Sequence, residues 1–304
     1  MADPQKTWLK KLAHLNPNIR TDRGEDNGRY APHKPLLLLA LIDAAEAGEL
    51  TSRTTALTPG LRVRFNAYWP IVLNRWGTKP DPTMPFHYLS SQGFWQASTG
   101  QGTPSEAVHS TRAIELHPDF FLLLQQPTFR ELARRVLVTT WFPPTEQVAL
   151  KTSLGLAADD VAATLVAEEA RAPYETQGRD ARFRIQVIVQ YQYTCALSGY
   201  ALTTQAGASI VQAAHIAAFA DTRNNDPRNG LALTPDAHWS FDEGLWTIDD
   251  DLRVVVARDA FSECGPDGIS LRVRHGRPLH FSRGVNLRPH RDYLDWHRTK
   301  RFVG

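Results

Sequence analysis

Cysteine is scarce in this chain: Cys195 and Cys264 are the only two in 304 residues. Two thiols exclude a disulfide framework, and without a CxxC pair they exclude a zinc knuckle as well. Cys195 sits in a turn, "CALSG", and Cys264 in a Gly/Pro-rich loop with no partner at metal spacing, so both read as structural. Long apolar runs are also missing. The longest, "PLLLLALIDAA", is interrupted by Asp43 and falls short of the roughly 20 residues that cross a bilayer. The opening "MADPQKTWLKKLAHLNPNIR" has no apolar centre of the kind a signal peptide needs. These absences predict a soluble cytoplasmic protein with no membrane partner. Neither sign of charge dominates, because 34 Lys and Arg face 32 Asp and Glu. The distribution is more telling than the total. Residues 270–304 hold nine Arg or Lys against Asp292 and Asp295, together with His275, His280, His290 and His297. Such a segment suits a phosphate backbone, and equally an Arg-rich solvated surface.

A chain of this length buries one or two cores, and two domains are expected. No internal repeat or low-complexity tract interrupts it. Trp8, Leu9, Leu12 and Leu15 recur at helical spacing. "APHKPLLLLALIDAAEAGEL" reads as a buried second helix, with Pro35 near its first turn and Gly48 near its end. "FHYLSSQGFWQAS" reads as two short aromatic strands around a Ser/Gly turn. "PTFRELARRVLVTTWF" is helical again and stops at Pro143 and Pro144. An acidic, Ala-rich tract up to about Ala172 suggests a surface helix or connector, and the polar "YETQGRDA" a boundary. The expected division is residues 1–150 as one domain, 151–180 as a helical connector and 181–304 as a second domain. In the last, "ARFRIQVIVQYQY" predicts a helix, "SIVQAAHI" a strand, "AAFADTRNNDPRNG" a polar loop, "LALTP" a second strand and "PDAHWSFDEG" a helix opened by Pro235.

Phosphodiester hydrolysis needs a base to activate water and a cation to offset charge on the phosphate. Neutral imidazole suits the first role near neutral pH. His238 and Asp242 stand at i, i+4, so on a helix both side chains project from one face. This mixed N/O pair suits Mn²⁺, Co²⁺, Ni²⁺ or Zn²⁺ at the nitrogen and Mg²⁺ less well. By itself, the same spacing also fits an ordinary surface interaction.

His215, Asn229, His238 and Asp242 follow in order across strand, loop, strand and helix, within "AAHI", "NGLAL" and "FDEG". This segment resembles the HNH nuclease family, with its ββα-metal fold, and in particular its predicted restriction-endonuclease branch. "FRIQVIVQYQYTCALSG" and "YLDWHRTKRF" resemble that branch's entry and terminal helices, so the likeness runs over residues 182–302. It implies an α+β chain whose second domain is a metal-dependent endonuclease acting on double-stranded DNA and leaving 5′-phosphate and 3′-hydroxyl ends. Carried over by position, His215 is the general base, Asn229 holds the loop and orients that base, and His238 and Asp242 bind a divalent ion, Mg²⁺ or Mn²⁺ with Co²⁺, Ni²⁺ and Zn²⁺ as alternatives. Two positions depart from the pattern. Ala214 stands where many members place a metal-binding acid before the base, and Gln212 where the branch often has Glu.

In the first domain, "RYAPHKPLLLLALI", "MPFHYLSSQGFWQ" and "WFPPTEQVALKTSLGL" resemble, in order, the sulfur-binding domains of certain type IV restriction enzymes, which recognise phosphorothioate DNA. Sulfur is larger, softer and less hydrated than oxygen, so an apolar hollow beside cations would favour it. Tyr30, Ala31, Pro32, His33 and Lys34 offer that mixture before a helix N-terminus. His87, Tyr88 and Trp95 are further contacts in this reading, or core aromatics in the simpler one. The resemblance implies a modification-dependent restriction endonuclease, with a homodimer or successive nicks cutting both strands. Two readings stay open beside it: an HNH endonuclease specific for another modified base or a sequence, and a DNA-binding module with a degenerate nuclease site.

Overall fold

The computed structural model describes residues 3–20, 29–100, 102–156, 168–204, 207–265, 270–282 and 287–304, the side chains of 168–172 excepted. The chain divides into two units, Met1–Arg182 and Phe183–Gly304. Among the described residues, no helix is long and apolar enough to cross a membrane.

The first unit is built around a central helix. Helix α1 (Pro4–Ala13) is capped by Asp3, whose carboxylate accepts the Gln5 N–H. Helix α2 (His33–Glu46) buries ten of its fourteen residues, among them the whole run from Leu36 to Ile42. Each such aliphatic side chain is worth roughly 1.5–3 kcal/mol on burial. Asp43, the charge inside this apolar run, is matched from neighbouring helices by Arg64 at 3.3 Å and Arg134 at 2.9 Å. Those cations come from α3 (Pro59–Trp76) and α6 (Pro127–Trp141). Between them lie strand β1 (Thr54–Ala56), helix α4 (Thr83–Tyr88), strands β2 (Trp95–Ser98) and β3 (Ala113–Leu116), and helix α5 (Pro118–Leu124). The strands form an antiparallel sheet in the order β1-β3-β2. Helix α7 (Pro144–Leu154) carries Glu146, which grips Arg75 of α3 with two bonds of 2.7 and 2.8 Å, both side chains buried.

One sequence expectation needs correction. "FHYLSSQGFWQAS" forms one strand, not two: α4 and a 3-10 turn, Leu89–Gln92, take the first half. Asp81, just before the N-cap Pro82, accepts the Thr83 N–H at 2.9 Å, and Pro85 lies in the first turn, where a missing N–H costs nothing. Phe86 and Leu89 then bury on one side, and the Trp95 indole donates to the Phe86 carbonyl at 2.8 Å. Packing overrides the strand preference of the aromatics. "YETQGRDA", expected as a polar boundary, is helical: α8 (Glu168–Gln190) runs through it, and the division between the units falls just after it, at Arg182. After Pro173 that stretch holds no further proline, and its Glu, Gln, Arg and Ala are good helix formers. The acidic, Ala-rich tract before it falls mostly outside the described residues.

The second unit follows the expected strand–loop–strand–helix order. Strand β4 (Gln212–His215) pairs antiparallel with β5 (Gly230–Leu233), with His215 opposite Gly230. The intervening loop includes a single helical turn, α9 (Phe219–Thr222). Helix α10 (Pro235–Asp242) follows, with proline at its start. A second hairpin, β6 (Trp246–Ile248) with β7 (Val254–Val256), has no counterpart in the sequence reading, since three-residue strands show no usable alternation. Helix α11 (Arg291–Lys300) closes the unit. Gly230 explains the "NG" of "NGLAL". A Cβ there would meet Val187 at 2.3 Å and the Phe183 ring at 3.0 Å, so only glycine lets β5 cross α8 this closely.

Candidate active site

His215 ends β4, where pairing with β5 fixes its backbone. Its ring stacks on Phe183, centroids 3.9 Å apart and planes 7° from parallel. Nε2 stands 2.8 Å from Asn225 Oδ1. An amide oxygen only accepts, so the proton sits on Nε2 and Nδ1 is the basic nitrogen of the neutral ring.

Asn229 is fully buried, and its partners are backbone groups. Oδ1 accepts the Ala217 N–H at 2.8 Å, while Nδ2 donates to the Ala217 carbonyl at 3.0 Å and the Asn224 carbonyl at 3.1 Å. It pins both ends of the loop that carries Asn225. Asn225, not Asn229, thus hydrogen-bonds the imidazole, and the sequence reading missed it; only its position in the "RNNDPRN" loop hinted at it.

His238 and Asp242 share a face of α10, with Nε2 3.4 Å from the carboxylate. His238 Nδ1 lies 3.1 Å from Gln212 Oε1 and donates to it. Its Nε2 therefore offers a lone pair toward a carboxylate that is also an acceptor. A proton or a metal cation can bridge the two, and the N/O donor pair fits a divalent ion. Among the described residues no group of three or more His, Cys, Asp or Glu is gathered to hold one. The protein would supply two donors, leaving the remaining positions to water and phosphate oxygens, a division usual for Mg²⁺. Gln212, where an acid was expected, holds His238 from behind, and Ala214 is buried at 1% exposure, without access to the site.

A cavity of about 420 Å³ brings these residues together: His215, His238 and Asp242 line it with Glu243, His297 and Arg301. Sequence reading assigned no role to the last three. His297, on α11, is buried, stacked on Phe241 at 3.8 Å, and saturated. Its Nε2 donates to the Phe241 carbonyl at 3.2 Å and its Nδ1 accepts from the Thr247 hydroxyl at 2.9 Å. Burial pushes its pKa down to about 4, with the Arg301 charge adding to the effect against the Phe241 bond. It stays neutral and ties α11 to the end of α10 beside Asp242.

Tyr30 packs edge-on against Trp141 at 5.3 Å and its carbonyl accepts from Arg75. Ala31 and Pro32 are buried immediately before α2. His33 packs against Trp69 at 4.8 Å, and burial lowers its pKa although Asp81 opposes this. Lys34 Nζ donates to the Asn16 carbonyl at 2.5 Å, and burial lowers its pKa as well. These five stand together at the start of one helix. His87 is separate in sequence, on α4, buried, with Nδ1 2.7 Å from Thr111 Oγ1 and its ring edge-on to Tyr88. Tyr88 is exposed, whereas Trp95 is a core residue at 3% exposure.

Residues 195–249 match the family model described as HNH endonuclease. No curated protein matches the chain. Among solved structures, a modification-dependent TagI restriction endonuclease is similar at 24% identity, with a TM-score of 0.33, over 49% of this chain and 44% of that one. The chain thus spans less than half of that neighbour's length, and so distant a likeness carries no argument. The family match covers the strands and helix that line the cavity. The chain's likeness to the HNH endonuclease family is thus carried by residues 195–249, within the second unit.

Proposed function

We propose that this chain is a modification-dependent restriction endonuclease, in which the first unit binds phosphorothioate DNA and the second hydrolyses a nearby phosphodiester. The observation that carries the nuclease half is the convergence of His215, His238 and Asp242 on one cavity from a strand and a helix. In this reading His215, oriented by Asn225, takes a proton from water; Asn229 holds the loop in which Asn225 sits. His238 Nε2 and the Asp242 carboxylate hold the divalent ion, which when bound supplies positive charge to the phosphate and the leaving 3′ oxygen. The lining favours such an ion on charge grounds: Asp242 and Glu243 outnumber the one guanidinium, and a phosphate would be repelled without a further cation.

The phosphorothioate half rests on the sequence signature around "APHKPLLLL" and on its placement. Ala31 and Pro32 adjoin His33, whose lowered pKa favours the neutral ring, and the partly desolvated Lys34 ammonium, so apolar groups stand beside one weakly hydrated cation. One catalytic site per chain implies that two copies, or two successive nicks, cut both strands.

The test compares phosphorothioate-modified and plain plasmids, each incubated with the protein and Mn²⁺ or Mg²⁺. Cleavage confined to the modified plasmid is expected. Equal cleavage of both overturns the phosphorothioate reading and leaves the nuclease. Binding without cleavage under any divalent metal indicates a DNA-binding module.

A further inference from the structure

Arg301 terminates α11 and lines the same cavity as His215 and Asp242. Of the residues lining that cavity it is the one Lys or Arg. Its backbone is held from two sides. The Arg301 N–H donates to the His297 carbonyl at 3.0 Å, and the Arg301 carbonyl rests against Gly244 so closely that a Cβ there would stand 2.0 Å from its oxygen. Val303 then returns its N–H to the Gly244 carbonyl at 3.2 Å. The "FDEG" and "TKRF" segments are thus locked together, with Gly244 at φ +71°, where L side chains are strained.

The side chain contrasts with this fixed backbone. The other arginines of α11 are occupied: Arg298 bonds the Ile248 carbonyl, Asp250 and Asp295, and Arg291 bonds Asp250 at 2.7 Å. Arg301 makes no side-chain hydrogen bond or ion pair with any described residue, although Asp242 and Glu243 line the same cavity. A cation held in place by its backbone but left without a partner is available to an incoming anion.

We propose that Arg301 grips the non-bridging oxygens of the scissile phosphate. This rests on the endonuclease reading. Attack of water on phosphorus concentrates negative charge on those oxygens as the 3′ oxygen departs, and a planar guanidinium meets two of them at once. In the same lining His215 would serve the attacking water and the His238–Asp242 pair would hold the ion, so Arg301 would supply a further, permanent point of charge.

The test is single-turnover cleavage of a modified plasmid with Mn²⁺ by the full-length wild type, Arg301→Lys and Arg301→Ala, with melting temperature measured for each. Arg301→Ala is expected to cut about 10²–10³-fold more slowly at saturating DNA, at an unchanged melting temperature, and to regain rate with added ethylguanidinium. Arg301→Lys, which keeps the charge and loses the fork, is expected to fall in between. A purely structural arginine would lower the melting temperature and show no rescue, and that result overturns the assignment. So does wild-type rate in either variant. A wild type that cuts no DNA with any divalent metal overturns the endonuclease reading itself, and this assignment with it.

Discussion

Asn225 Oδ1 lies 2.8 Å from His215 Nε2, and that bond sets which nitrogen of the ring is basic. The parallel face of Phe183 fixes the ring's plane but not its tautomer. Asn225→Ala is therefore expected to lower the cleavage rate by about 10- to 100-fold, the usual cost of removing an orienting partner, with DNA affinity retained. His215→Ala should cost more, about 10²–10⁴-fold. Single-turnover rates beside binding isotherms make the check, and an unimpaired Asn225→Ala variant would show that the bond does not orient the base.

Asn229 is expected to behave differently. Its removal strands the Ala217 N–H and two carbonyls in a buried loop. Asn229→Ala should lose roughly 2–4 kcal/mol of stability, visible in denaturant melts, whereas Asn225→Ala should melt near wild type. Equal melting of the two variants would contradict the structural assignment of Asn229.

His297 gives the second unit an acid-sensitive contact. Its pKa falls from 6.5 to about 4 in the folded state, so below pH 6.5 the unfolded chain binds the extra proton first. The contribution is fully present above pH 6.5 and is lost as pH falls toward 4, with a total of about 3 kcal/mol. Urea melts from pH 7 to pH 4 should show this slope, and His297→Gln should flatten it.

Lys34 tests the N-terminal reading. Its ammonium is partly desolvated and already held by the Asn16 carbonyl, so it is preset to meet an anion. Lys34→Ala should weaken binding to phosphorothioate DNA by about 10- to 100-fold, the worth of one charge-assisted bond, and leave plain DNA nearly unaffected. An equal loss on both would mark Lys34 as an ordinary backbone contact.

The order His215, Asn229, His238 and Asp242 was legible because each element carrying them declares itself locally. Pro235 opens a helix, the four-residue spacing sets one face, and Asn-Pro-Gly chemistry marks the loop. The buried α2 was legible for the same reason, as a continuous apolar run. The aromatic stretch around Tyr88 misled, since Phe86 and Leu89 pack as a helix against a core that no local pattern displays.

What the sequence determined by itself is most of the local elements and the candidate site residues they carry, because backbone preference and side-chain period depend on neighbours within about four positions. Only the tertiary structure decided which side chains complete the site. Gln212 reaches His238 across a strand and a helix, His297 ties α11 to Phe241, and Arg301 enters the cavity because Gly244 has no Cβ to block its carbonyl. Those contacts join residues far apart in the chain, and their geometry is set by how the elements pack rather than by any spacing along the sequence.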